Sequence, residues 1–228
     1  MENKKPNEIN SENHTLFIKH IPEFKRTLDR RKNIVQVRPK HKIYTIYIER
    51  FKELKRGLHS VMNELRSAGR EDRLHIRINS GGGFVNEGIQ FYNLMNELFH
   101  QRTTTYLDNH GYSMGALLFC MGDKRVIYPY SDLMFHNYSS GVGGKGGEII
   151  SRVKHTDRHI KDFFRKIIVE QGFLTDKEFE SMSIGQDFWM SSRELCERKI
   201  ATHVIYEGKE IKAKKYLKVL RKLEGKEG

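Results

Sequence analysis

The chain is poor in cysteine, with only Cys120 and Cys196 among 228 residues. Two thiols in apolar or helical surroundings make no disulfide framework and read as buried thiols of a reducing compartment. No stretch approaches the ~20 apolar residues that a membrane-spanning helix needs. The opening MENKKPNEINSENHT has no apolar core and no cleavage site, so no secretory signal is expected and the expected location is cytoplasmic. Zinc-finger spacings, an RNP-type aromatic motif and a helix-turn-helix signature are also missing. Acidic residues are the minority, 29 against 41 lysines and arginines, which leaves a net charge of +12. The excess gathers in RTLDRRK and RPKHK near the start and in KEIKAKKYLKVLRKLEGKEG at the end. Such runs read as solvated basic termini, so neither specific nucleic-acid binding nor a membrane is expected.

What is present has the texture of one domain with a sizeable core. The expected organisation is a basic extension over 1–40, a folded domain over 41–206 and a basic tail over 207–228. IYTIYI from Ile43 is β-branched and aromatic and predicts a strand. Phe51, Leu54, Leu58, Val61, Met62, Leu65 and Ala68 recur at helical spacing. LHIRI (74–78) alternates as a strand, and NSGGG follows as a loop. Val85, Ile89, Tyr92, Met95 and Phe99 form one face of a further helix. TTTYL (103–107) predicts a strand, and residues 113–121 predict a short, buried helix. Short strands are expected at 126–128 and 133–135. A long charged helix is expected over 148–171, and a capping box at Ser191 and Glu194 leads into a short helix and a strand at 202–206. Tyr216, Leu217, Leu220 and Leu223 line one face of a tail helix that could pack on the body, meet a partner or lie on an anionic surface. Strand, loop and helix therefore repeat, which implies an α/β fold with its loops gathered at strand ends.

Three places carry candidate chemistry. Ser113 lies in Gly111-Tyr-Ser-Met-Gly115, where glycines permit a tight turn and a following helix aims backbone N–H groups at a developing oxyanion. A helix-capping serine explains the same pattern equally well. His136 ends a short strand at a loop edge, where an imidazole is placed to act as a general base or to serve structure. The glycine run of INSGGGFV offers unblocked N–H donors or an ordinary turn. SSGVGGKGG (139–147) lacks the Gly-Lys-Ser/Thr of a phosphate loop. His155 and His159 stand four apart among Lys154, Arg158 and Lys161, which repel a cation, so no metal is expected. An α/β-hydrolase reading fails on order, because the best histidine follows the serine by only 23 residues.

The ordered set INSGGGFV, GYSMGA, LMFHN, a glycine-rich stretch with a long helix, and DFWMS resembles the proteolytic subunit of the Clp protease family over roughly residues 43–206. The resemblance implies the repeated β/β/α spiral shared with crotonases, with a protruding handle helix. It implies a serine peptidase with Ser113 as nucleophile, His136 as base and Asp187 as orienting acid; local chemistry alone leaves Asp132 and Asp157 as rivals. Oxyanion donors would be the backbone N–H groups of Gly83 and Met114. Peptide would lie in extended form along Gly82, Phe84, Val85, Asn137 and Tyr138. Peptide or unfolded protein substrates, no cofactor, and a homo-heptamer or double-ring tetradecamer stacked through the handle also follow.

The sequence departs from the family at several points. Gly81 stands where the family usually has proline. The resemblance implies an ATP-dependent peptidase working with an ATPase unfoldase, but His75 and Arg77 replace exposed aromatic residues of the pocket in which that ATPase docks, so docking of a standard one is not expected. Residues 1–40 lack the usual axial loop. Such divergence is similar to that of phage-encoded members acting in capsid maturation. Two rival readings stay open: a crotonase-like acyl-thioester enzyme, and a ring scaffold with a silent site.

Overall fold

The structure is a computed structural model that describes residues 17–19, 41–49 and 58–225. Phe51 and Leu54 of the expected first helix, and most of the 1–40 extension, lie outside the described residues. The elements run β1 (Phe17–Lys19), β2 (Ile43–Ile48), α1 (Leu58–Leu65), β3 (Arg73–Ser80), α2 (Val85–Phe99), β4 (Thr103–Tyr112) and α3 (Met114–Cys120). They continue as β5 (Lys124–Ile127), β6 (Asp132–Phe135), α4 (Gly146–Ile168), α5 (Asp176–Ser183), β7 (Phe188–Ser191) and α6 (Ser192–Glu197). β8 (His203–Tyr206), β9 (Lys209–Lys212) and α7 (Ala213–Glu224) complete the set. This is the expected α/β class, with a mostly parallel sheet.

Among the described residues nine strands form one sheet; seven run in the order β1-β2-β3-β4-β5-β8-β9, and β6 and β7 branch from β4. β4 is the pivot. Its first half pairs with β5, Thr104 to Leu107 against Lys124 to Ile127. Its second half pairs with β6, His110 to Tyr112 against Asp132 to Met134. β6 in turn takes β7 antiparallel on its far side. The sheet thus forks, and the branch made by β6 and β7 carries the site described below.

Alternation decides which face is covered. Leu74, Ile76 and Ile78 of β3, Leu107 of β4, and Leu133 and Phe135 of β6 are buried beneath the helices. α2 adds Phe91, Leu94, Met95 and Phe99, and every residue of α3 is buried. The amphipathic spacing of α4 is used in its second half alone: Ile160, Phe163, Phe164, Ile167 and Ile168 are buried, while Ile150 and Val153 are exposed. The other sheet face is partly open. There the guanidinium of Arg77 donates to both carboxylate oxygens of Asp108 at 2.9 and 2.6 Å and to the Tyr128 hydroxyl at 3.0 Å, and it lies 4.9 Å from the Tyr106 ring centre.

Several elements differ from the sequence reading. β4 runs five residues past Leu107, because its polar end, DNHGY, gains β6 as a partner. α4 spans Gly146–Ile168 rather than 148–171. α5 lies outside the sequence expectations although Thr175 and Glu178 form a capping box at its start, and β7 and β9 are four-residue strands with no strong local pattern. α7 packs on the body: Ala213 and Tyr216 are buried, and the Tyr206 and Tyr216 rings meet at 5.6 Å. No helix among the described residues is long and apolar enough to cross a membrane.

Candidate active site

The parallel register of β4 and β6 sets the end of one strand beside the end of the other. Ser113 follows β4 directly, and its N–H donates to the Met134 carbonyl at 3.0 Å. Its backbone turns sharply, with φ 56° and ψ −125°, and its side chain makes no capping hydrogen bond to α3. That removes the helix-capping reading. A non-glycine residue with positive φ costs on the order of 1–3 kcal/mol and persists only where its surroundings impose it. Here the surroundings are α3 on one side and the glycine loop on the other.

The glycine loop leaves β3 at Ser80. The N–H of Gly82 donates to the Ser80 hydroxyl at 3.1 Å. Gly82 has φ 99°, and a Cβ there would meet Ser113 Cβ at 2.7 Å, Tyr112 O at 2.9 Å and Met114 N at 3.1 Å. The loop and the serine turn are therefore in backbone contact, which only glycine permits. Gly83 and Phe84 are exposed beside this contact, and half-buried Val85 opens α2. A Cβ on Gly115 would meet the Ser80 carbonyl at 3.0 Å, so the first turn of α3 seats against the end of β3.

His136 follows the last residue of β6, and Asp187 precedes the first residue of β7. Phe135 pairs with Phe188 in the antiparallel ladder, so His136 and Asp187 face each other as that ladder ends. Ser113 and His136 are half-buried and Asp187 is exposed. The fold thus brings the backbones of all three to one corner of the sheet. It does not join their side chains: among the described residues no hydrogen bond links the three.

The rival acids are engaged elsewhere. Asp132 accepts a 2.6 Å hydrogen bond from the Tyr112 hydroxyl. That bond, more than burial, pushes the Tyr112 phenol up to about 12. Asp157 accepts from the Tyr138 hydroxyl at 3.1 Å and pairs with Lys161 at 2.9 Å, on α4. Asn137 donates to the Ser183 carbonyl at 2.8 Å and accepts from the Tyr138 N–H at 2.9 Å. It ties the segment after His136 to the end of α5, whose continuation carries Asp187. The side chains of Asn137 and Tyr138 are thus committed to the body. Sequence reasoning missed these supports, since neither Asn137 nor Tyr112 carries a local signal of its contacts. His155 and His159 lie on the exposed half of α4 with parallel rings 6.2 Å apart.

This arrangement offers a hydroxyl on a strained turn, an imidazole at the adjoining strand end, a carboxylate at the facing end of the next strand, and exposed glycine backbone beside the hydroxyl. Those are the components of acyl transfer. The family model for Clp protease matches residues 29–208. A curated relative, the ATP-dependent Clp protease proteolytic subunit of Chlorella vulgaris, is 30% identical over 159 residues, covering 69% of this chain and 78% of the relative. With the match spanning β2 to β8, the glycine loop, the serine turn and the long helix together, the chain belongs to the Clp protease family of peptidases.

Proposed function

We propose that the chain is a serine endopeptidase in which Ser113, His136 and Asp187 form the catalytic triad. The Ser113 hydroxyl attacks a peptide carbonyl while His136 takes its proton; His136 returns that proton to the departing amine. Water then attacks the acyl-enzyme by the same relay in reverse. Asp187 fixes the imidazole tautomer. The N–H groups of Gly83 and Met114 bind the tetrahedral oxyanion, each contributing on the order of 3 kcal/mol to the barrier reduction. The observation that carries this reading is the contact of the Gly82 backbone with the strained Ser113 turn, beside the strand ends of His136 and Asp187.

Peptide lies extended along Gly82, Phe84 and Val85 on one side and the backbone of Asn137 and Tyr138 on the other. The exposed apolar residues Ile150 and Val153 of α4 support assembly into heptameric rings stacked through this helix, which would sequester the serines from folded proteins. Arg77 and Asp108 put a salt bridge on the strand face where the family's ATPase docks, which supports an altered or absent ATPase contact.

The exposure of Asp187 and the open geometry of the three side chains favour one rival, a ring scaffold with a silent site. Labelling with a fluorophosphonate probe separates them, with the adduct located by mass spectrometry and Ser113→Ala as control. An adduct confined to Ser113 supports the peptidase. No adduct on folded, assembled protein supports the scaffold.

A further inference from the structure

We propose that Tyr112 is a positioning residue that locks the nucleophile strand to the acid strand; this rests on the triad reading above. Tyr112 immediately precedes Ser113. Its hydroxyl donates to Asp132, the first residue of β6, at 2.6 Å. Its ring meets Trp189 of β7 edge-on, with centroids 5.1 Å apart and planes at 69°. Trp189 stands two residues beyond Asp187. One side chain therefore touches the strand that leads to His136 and the strand that begins after Asp187.

The topology explains why such a lock matters. β7 has four residues and pairs with β6 alone. Strand pairing by itself relates Asp187 to Ser113 only through β6. Tyr112, Met134 and Trp189 share one cross-strand row, and the Tyr112–Trp189 contact reaches across Met134 to join β4 to β7 directly. The three strands are thereby triangulated. Aromatic pairs of this geometry add to burial, and the hydroxyl–carboxylate bond is of the stronger, charge-assisted kind. Trp189 is 56% exposed, so it is not there to fill the core. His110 flanks the Tyr112 ring at 4.7 Å, on the same sheet face. The lock holds a strained serine turn, whose geometry relaxes unless both of its flanks are fixed.

The test uses the full chain and the concentration dependence of fluorophosphonate inactivation. Tyr112→Ala and Trp189→Ala are each expected to lower the saturating inactivation rate about tenfold, as a misplaced reacting group does, with the half-saturating concentration unchanged. The double variant falls no further than Tyr112→Ala, because that change already removes the ring contact with Trp189 together with the Asp132 bond. Trp189→Phe, which keeps a ring, restores most of the loss. Trp189 is the only tryptophan in the chain, so its emission shifts in Tyr112→Ala and reports the contact without reference to activity. A folded Tyr112→Ala protein that inactivates at the unaltered rate overturns the proposal while leaving the peptidase reading intact. An unaltered chain that takes no label at Ser113 overturns both. If Tyr112→Ala fails to fold, the exposed Trp189→Ala change decides by the same criterion.

Discussion

A methyl group on Gly82 would lie 2.7 Å from the Cβ of Ser113, closer than any real pair of such atoms. The glycine loop and the Ser113 turn are one packed unit. Gly82→Ala must push them apart and must also hold alanine at φ 99°. The strain is expected to cost on the order of 1–3 kcal/mol of stability. Displacement of the serine is expected to lower labelling about a hundredfold. Thermal denaturation and probe kinetics on the same preparation check both parts. An unchanged labelling rate would mean that the loop does not set the serine geometry.

Asn137 holds the segment after His136 to the end of α5 through a single 2.8 Å hydrogen bond to the Ser183 carbonyl. Asn137→Ala removes that tether and leaves the carbonyl without its donor. The expected stability loss is about 1 kcal/mol, the ordinary net value of such a bond. The expected loss of labelling is larger in proportion, because the tether joins the loops on which His136 and Asp187 ride. Equal fractional losses with Asn137→Ala and with a surface control would remove Asn137 from the site.

How far the site was legible in the sequence depends on how local each signal is. The alternation of Leu74, Ile76 and Ile78 and the spacing of Phe91, Met95 and Phe99 report burial against neighbours a few residues away, so β3 and α2 were readable. Ser113 and His136 stood out because glycine and a strand end mark them locally. Asp187 did not. Its place opposite His136 depends on β7 pairing with β6, and FWMS is too short to announce that partner. The last residues of β4 were hidden for the same reason, since DNHGY is a strand only because β6 lies alongside. Tyr112 was visible as the residue before the serine, but its bond to Asp132 and its contact with Trp189 exist only in the folded sheet.

His75 supplies a pH dependence that is separate from catalysis. Burial, then Lys124, Arg73 and Arg77, depress its imidazole to about 4 from 6.5. The fold therefore favours the neutral ring, and the unfolded chain takes the proton first. The resulting stability is present above pH 6.5 and is lost as pH falls through the window from 6.5 to about 4. His75→Phe keeps a ring against Tyr106, whose centroid lies 5.5 Å away. The variant is expected to lose less thermal stability between pH 7 and pH 5 than the unaltered chain, as followed by circular dichroism melts. Parallel losses in the two proteins would show that His75 does not carry this dependence.

Glu178 works in the opposite part of the acid range. The Arg198 guanidinium, at 2.6 and 3.2 Å, together with Thr175 holds its carboxyl down to about 2 from 4.5. A depressed carboxylate stabilises the fold above its unfolded value and loses that contribution as pH falls from 4.5 towards 2. Arg198→Gln is therefore expected to lower the melting temperature at pH 7 and to converge on the unaltered chain near pH 2. A gap that persists at low pH would assign the effect to lost packing of the arginine, whose side chain also donates to the Phe173 carbonyl.

The choice among three carboxylates gives the most direct test of the proposed triad. Asp157 is spent on Tyr138 and Lys161, and Asp132 on Tyr112, so neither is free to orient His136. Asp157→Asn should label with fluorophosphonate at close to the unaltered rate. Asp187→Asn should leave the fold intact, because the side chain is exposed and makes no hydrogen bond among the described residues. Its catalytic effect should be large, about 10⁴-fold in turnover where an asparagine stabilises the wrong tautomer of a triad histidine. The contrast is informative because the more exposed and less connected of the two residues is the one expected to matter. A mild effect at Asp187 alongside a severe one at Asp157 would move the acid to α4. It would also show that the ends of β6 and β7 meet for structural reasons alone.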